Sequence, residues 1–217
     1  MPDKKYVFNE ITIRDSWRMF HILAEFVEGF EALADCLPSV TIFGSSRAKP
    51  NDEVYQKAEE IAQLLAENGF GVITGGGPGV MEAANKGAAL AGGKSIGLNI
   101  QIPLEQEPNP YANIKLNFRY FFVRKVMFVK YAVAYIILPG GFGTMDELFE
   151  SLTLIQTQKI KPFPVILVGS NYWKGLLDWM KEVVLKEGKA SSSDLDILQI
   201  IDEPAEIIKA IRKTIIL

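Results

Sequence analysis

Three glycine-rich turns and two small clusters of charge are where this sequence could do chemistry. The turns are Gly44-Ser45-Ser46, Gly75-Gly76-Gly77-Pro78-Gly79 and Pro139-Gly140-Gly141-Phe142-Gly143-Thr144. Each follows an apolar run, and the second and third lead directly into helical patterns. Glycine lets a backbone approach a phosphate closely, and the free N–H groups and dipole at a helix start favour an anion. One such turn also serves tight strand-to-helix packing, but three at one sheet edge favour phosphate. Gly44, Ser45, Gly76, Gly77, Gly79, Gly140, Gly141, Gly143 and Thr144 are therefore candidate substrate-binding positions.

The charge clusters are Arg124-Lys125, inside the apolar stretch Phe121 to Phe128, and Asp146-Glu147, just past the third turn. A planar guanidinium that keeps its proton suits burial beside a phosphate or carboxylate. Lys125 reads either as a second ligand group or as the solvated end of that face. Asp146 reads equally as a ligand group or as an ordinary acid at a helix start.

Familiar phosphate motifs fail. The pattern G-x-G-x-x-G needs glycine at Val80, Glu82 or Asp146 when started from Gly75, Gly77 or Gly141. The strand after the Gly75 turn ends near Asn99, not on an acid that could hold an adenosine ribose. Gly93-Lys94-Ser95 resembles the end of a P-loop, but Ala88 replaces its first glycine and the segment runs helix to strand. A mononucleotide or sugar phosphate is left as the expected ligand.

Composition narrows the chemistry further. With one histidine (His21) and one cysteine (Cys36), the chain can form neither an internal disulfide nor a zinc site of the usual kind. Both residues lie in an apolar-periodic stretch and read as packing or surface residues, so no metal and no cofactor is expected. The formal charge of −3 comes from 23 basic and 26 acidic side chains without a basic block, which argues against nucleic acid. No apolar run approaches the roughly 20 residues that span a bilayer, and no signal-type core follows Met1 to Lys5, so no membrane partner and a cytoplasmic location are expected.

These groups must be positioned by alternating strands and helices. An amphipathic helix over about 15–34, with Asp15 or Ser16 as N-cap, precedes strands at 40–43, 70–74, 95–100, 113–118, 134–138 and 165–168. Helices are predicted over about 53–68, 80–90, 120–131, 143–158, 173–187 and 204–216, with loops at 101–112 and around Ser191-Ser192-Ser193. Fully apolar strands alternating with helices predict an α/β, Rossmann-like, doubly wound parallel sheet with helices on both faces. At 217 residues and 48% hydrophobic content, one domain spanning 1–217 with an N-terminal helical extension accounts for the chain.

Gly75 to Glu82, the Arg124-Lys125 pair and Pro139 to Glu147 together resemble the Lonely Guy (LOG) family, whose P-G-G-x-G-T-x-x-E motif is matched at every fixed position. The resemblance implies a phosphoribohydrolase that splits a nucleoside 5′-monophosphate into free base and ribose 5-phosphate. It implies Arg124 and Glu147 as catalytic residues, a nucleotide-binding turn at Gly141, Gly143 and Thr144, and a substrate-contacting Thr153. It also implies at least a homodimer, with active sites near the subunit boundary. The long N-terminal helix is like that of the bacterial branch. Gly79-Val80-Met81-Glu82 and Phe122-Val123 depart from the plant pattern, which leaves the base open. Molybdenum-cofactor carriers resemble the chain in architecture and turns, so a binding protein without turnover is the alternative. Some relatives carry a lysine decarboxylase label, but no pyridoxal phosphate site is marked in the sequence.

Overall fold

Strand alternation divides the interior into two layers. In the computed structural model, which describes residues 13–102 and 107–214, Val40 and Ile42 of β1 (Ser39–Phe43) face one way, and Thr41 and Phe43 the other. The same alternation places Ala134, Ile136 and Leu138 in one core, and Tyr135 and Ile137 of β5 (Ala132–Ile137) in the second. Both layers are apolar, as a doubly covered parallel sheet requires. The remaining strands are β2 (Gly71–Thr74), β3 (Ser95–Ile100), β4 (Ile114–Phe118), β6 (Val165–Leu167) and β7 (Leu198–Ile200). All seven are parallel, in the order β4-β3-β2-β1-β5-β6-β7. Strand order reverses between β1 and β5, which opens a crevice at their carboxyl ends.

Helices α2 (Glu53–Glu67), α3 (Val80–Leu90) and α8 (Pro204–Thr214) cover the first core. The second is covered by α4 (Phe121–Lys130), α5 (Phe142–Gln156) and α6 (Ser170–Trp179), with α1 (Ile13–Ala32) laid over its edge. Buried Glu25 of α1 accepts the backbone N–H groups of Arg119 and Tyr120 at 3.1–3.4 Å. It therefore serves as a remote cap for α4, whose own N-cap Tyr120 offers no capping side chain.

Several expectations need correction. Helix α1 already runs through Asp15 and Ser16, so neither is its N-cap. The helix expected from Trp173 starts at Ser170, because Asp202 accepts the N–H groups of Gly169 and Ser170 at 2.7 and 3.0 Å and supplies the cap from elsewhere in the chain. It continues as a π-helical stretch, Met180–Leu185. The serine run is not a plain loop: Asp194 accepts the Ser191 N–H at 2.8 Å and starts the short α7 (Ser192–Leu195). The seventh strand was not foreseen. The N-terminal twelve residues, 103–106 of the expected loop and 215–217 lie outside the described residues.

Candidate functional site

The three glycine turns meet in the crevice and lock onto one another. Ser45 N–H donates to Pro139 O at 2.9 Å, and Val80 N–H donates to Ser45 O at 2.9 Å. Gly140 lies so close to Thr144 and Gly44 that a methyl group there would collide with both. Gly79, with φ +71°, both adopts a left-handed backbone and packs against Ser45 and Ser46. At Gly141 and Gly143, in contrast, an added methyl would meet no protein atom within 4 Å. Their lack of side chains keeps space free above the N-terminus of α5, where no side chain caps the helix. Unpaired N–H groups therefore open into the crevice.

The resulting cleft of about 640 Å³ is lined by the ends of β1 and β3, the start of α5 and one side of α4. Gly44, Ser45, Gly141, Gly143, Thr144, Arg124, Asp146 and Glu147 all border it. The apolar wall of Phe43, Met81, Ile100, Ile102, Phe121 and Phe128 faces them, and Ser46 and Arg47 stand on the rim. A separate hollow of about 380 Å³ beside Gly169 and Ser170 is a poorer anion site, because Asp202 already takes their N–H groups.

Arg124 is largely buried, with its guanidinium 5.1 Å from the Phe121 ring and 5.3 Å from the Phe128 ring. Its Nη1 reaches Leu98 O at 3.5 Å, while its buried Nε has no hydrogen-bond partner. Burial lowers its pKa, opposed by Glu147 and Asp146, but a guanidinium remains protonated. A buried cation with an unused donor is costly unless an acceptor arrives.

Glu147 is 6% exposed. Burial raises its pKa to about 7, and Glu150 and Asp146 push the same way, against Lys125 and Arg124. It can therefore exchange a proton near neutrality. The Lys125 ammonium sits 2.6 Å from Glu150, 2.8 Å from Asp146 and 3.4 Å from Glu147. Those contacts outweigh its own desolvation and raise its pKa.

Some expected ligand positions do not face the cleft. Lys125 is held by the carboxylates of Asp146, Glu147 and Glu150 and does not itself border the cleft. Thr153 is exposed on α5 and donates to Phe149 O at 2.8 Å, because its position on the helix turns it outward. Gly76, Gly77 and Gly79 hold the second turn together. Asn109 N–H donates to Gly76 O at 2.8 Å, its side chain donates to Gly77 O at 3.1 Å, and Gly79 packs on Ser45. Of that turn, Gly75 faces the cleft. Gly140 supports the third turn without bordering the cleft. Arg47 and the apolar wall were missed. Arg47 directly follows Gly44-Ser45-Ser46, so its place beside an anion turn was the available signal.

His21 is exposed on α1, while Cys36 is buried in the second core. Among the described residues no group of three His, Cys, Asp or Glu could hold a metal ion, and no helix is long and apolar enough to cross a membrane.

A family model described as "Possible lysine decarboxylase" matches residues 81–211, more than half of the chain. The pyrimidine/purine nucleotide 5′-monophosphate nucleosidase of Escherichia coli K12 is 30% identical over 178 residues, which are 76% of this chain and 38% of that protein. This chain thus spans well under half of that relative's length. The cytokinin riboside 5′-monophosphate phosphoribohydrolase of Mycobacterium tuberculosis is 26% identical, covering 73% of this chain and 85% of that one. Among solved structures, the molybdenum cofactor binding protein of Rippkaea orientalis is 25% identical with a TM-score of 0.57, covering 81% of this chain and 94% of that one.

Proposed function

The chain belongs to the Lonely Guy family, whose model carries the lysine decarboxylase description, and from that premise we propose that it hydrolyses the N-glycosidic bond of a nucleoside 5′-monophosphate. The observation that carries this reading is the placing of Glu147 and Arg124 around one cleft, beside an uncapped helix start. The helix N–H groups suit the phosphate, the apolar wall suits a base, and Glu147 borders the same cleft. In the proposed reaction the bond between the anomeric carbon and the base nitrogen breaks, with its electron pair leaving on the base. Positive charge develops at the ribose, and the Glu147 carboxylate stabilises it. Water then bonds to the anomeric carbon. Its proton passes to Glu147 and finally to the base nitrogen, giving free base and ribose 5-phosphate. Arg124 holds the nucleotide through the guanidinium donors left free in the cleft. The relatives' names support this class of reaction.

The test is incubation with AMP, GMP, CMP and UMP, followed by chromatography for free base and ribose 5-phosphate. Retention of every nucleotide uncleaved would favour the second reading, a binding protein, which the likeness to the Rippkaea orientalis protein supports.

The same proposal includes a homodimer or higher assembly. On α1, Trp17, Met19, Phe20 and Leu23 are 60–66% exposed, and Phe121, Phe122 and Val126 of α4 are also open. So much apolar surface suits a second copy of this chain.

A further inference from the structure

We infer that Arg47 is the side chain by which the cleft distinguishes a phosphorylated ligand from an unphosphorylated one. The inference rests on the nucleotide reading of the same site. Where α4 packs on α5, the carboxylates of Asp146, Glu147 and Glu150 outnumber the cations Lys125 and Arg124. With all of them ionised, this cluster has no net positive charge left for a phosphate monoester of about −1.5 to −2.

The cleft also holds the free N–H groups at the start of α5 and the Gly44 to Arg47 loop. Backbone N–H groups fit a phosphate oxygen, but they are partial charges and cannot neutralise a dianion. Arg47 supplies the missing full charge. Its side chain is exposed, borders the cleft and makes no ion pair among the described residues. Its backbone, by contrast, is fixed. Arg47 N–H donates to Ser45 Oγ at 3.1 Å, and Ser45 is tied to Pro139 and Val80. An uncommitted guanidinium on a rigid anchor, next to open helix N–H groups, matches the forked geometry of a phosphate. Arg47 touches the phosphate and takes no part in bond breaking.

Calorimetric titration with ribose 5-phosphate and with ribose, on the full chain and on Arg47→Gln and Arg47→Lys, tests this directly. Arg47→Gln is expected to lose about tenfold or more in affinity for ribose 5-phosphate. Arg47→Lys should recover part of it, and ribose binding should not change. With AMP, Arg47→Gln should raise KM and leave kcat near its original value. Unchanged ribose 5-phosphate affinity in Arg47→Gln overturns the inference, as does a parent chain that does not bind ribose 5-phosphate at all. Failure of the hydrolase reading looks different: no base is released from any nucleotide, yet phosphate discrimination still depends on Arg47. Because Arg47 is exposed, unchanged thermal melting of both variants is expected and separates a binding defect from misfolding.

Discussion

Lys125 Nζ lies 3.4 Å from Glu147 Oε1 but closer to Asp146 and Glu150, at 2.8 and 2.6 Å. One ammonium is thus divided among three carboxylates, with Glu147 receiving the weakest share. This explains why burial prevails and Glu147 titrates near 7 in spite of a neighbouring cation. Removing the ammonium should raise that pKa further. If turnover needs the Glu147 carboxylate, the acid limb of kcat/KM against pH should move to higher pH in Lys125→Met, so that activity falls more at pH 6 than at pH 9. Lys125→Arg should keep the limb near its original place. Identical acid limbs in all three proteins would remove Lys125 from this role.

Glu147→Gln retains shape and abolishes the charge. With the carboxylate stabilising a cationic ribose, kcat for AMP should fall by about 100-fold or more, while AMP affinity should change by less than about threefold. Stopped assays paired with equilibrium binding separate the two. Small and equal losses in both would show that Glu147 is a contact and not a participant.

The same substitution should stabilise the fold at neutral pH and above. Glu147 has a folded pKa near 7 and an unfolded pKa in the usual carboxylate range. Between those values the unfolded chain has released its proton and the folded chain still holds it, so stability falls as pH rises through this window. Above it, the buried charge costs the native protein a constant amount that glutamine does not incur. Melting of Glu147→Gln should exceed the parent by roughly 1–3 kcal/mol at pH 8, and the difference should shrink towards pH 5. A constant difference across that range would point to packing instead of ionisation.

Arg124 presents a different case, because its Nε is buried without a partner and its guanidinium lies against Phe121 and Phe128. Arg124→Lys retains charge but loses the planar fork and its stacking on both rings. We expect it to lose most of the activity, about tenfold or more in kcat/KM, with little change in melting. Wild-type kinetics in Arg124→Lys would mean that only the charge matters.

How far this site was legible in the sequence depends on range. The Gly141, Gly143 and Thr144 turn was readable because its physics is local: an apolar strand, glycines and a helix start. The apolar runs of β1 and β5 pointed to a sheet covered on both faces for the same reason. Lys125 was misplaced because its direction depends on Asp146, Glu147 and Glu150, which only the packing of α4 on α5 brings near it. The second glycine turn looked like another phosphate cradle, but its carbonyls are held by Asn109, a partner more than thirty residues away. The start of α6 at Ser170 was likewise hidden, since its cap, Asp202, lies far along the chain. Strand β7 is short and half-exposed, so it lacks the apolar run that marks the central strands.

The apolar face of α1 yields a prediction about assembly. Phe20 is 66% exposed and Trp17 65%, an unusual amount of aromatic surface to leave in water. This face is tied to the cleft: Arg18 of α1 lies 5.5 Å over the Tyr120 ring, Glu25 caps α4, and Phe121 of α4 both borders the cleft and is half-exposed. A second copy covering α1 and α4 would therefore also close one side of the site. Phe20→Asp places a charge in that contact without touching either core. Sedimentation over a range of concentrations should give a dimer or larger assembly for the parent and a dissociation constant at least about tenfold weaker for Phe20→Asp. Turnover should fall as the assembly dissociates and recover at high protein concentration. A parent chain that sediments as a monomer at every concentration would defeat the proposal. Dissociation without loss of turnover would separate assembly from the chemistry of the cleft.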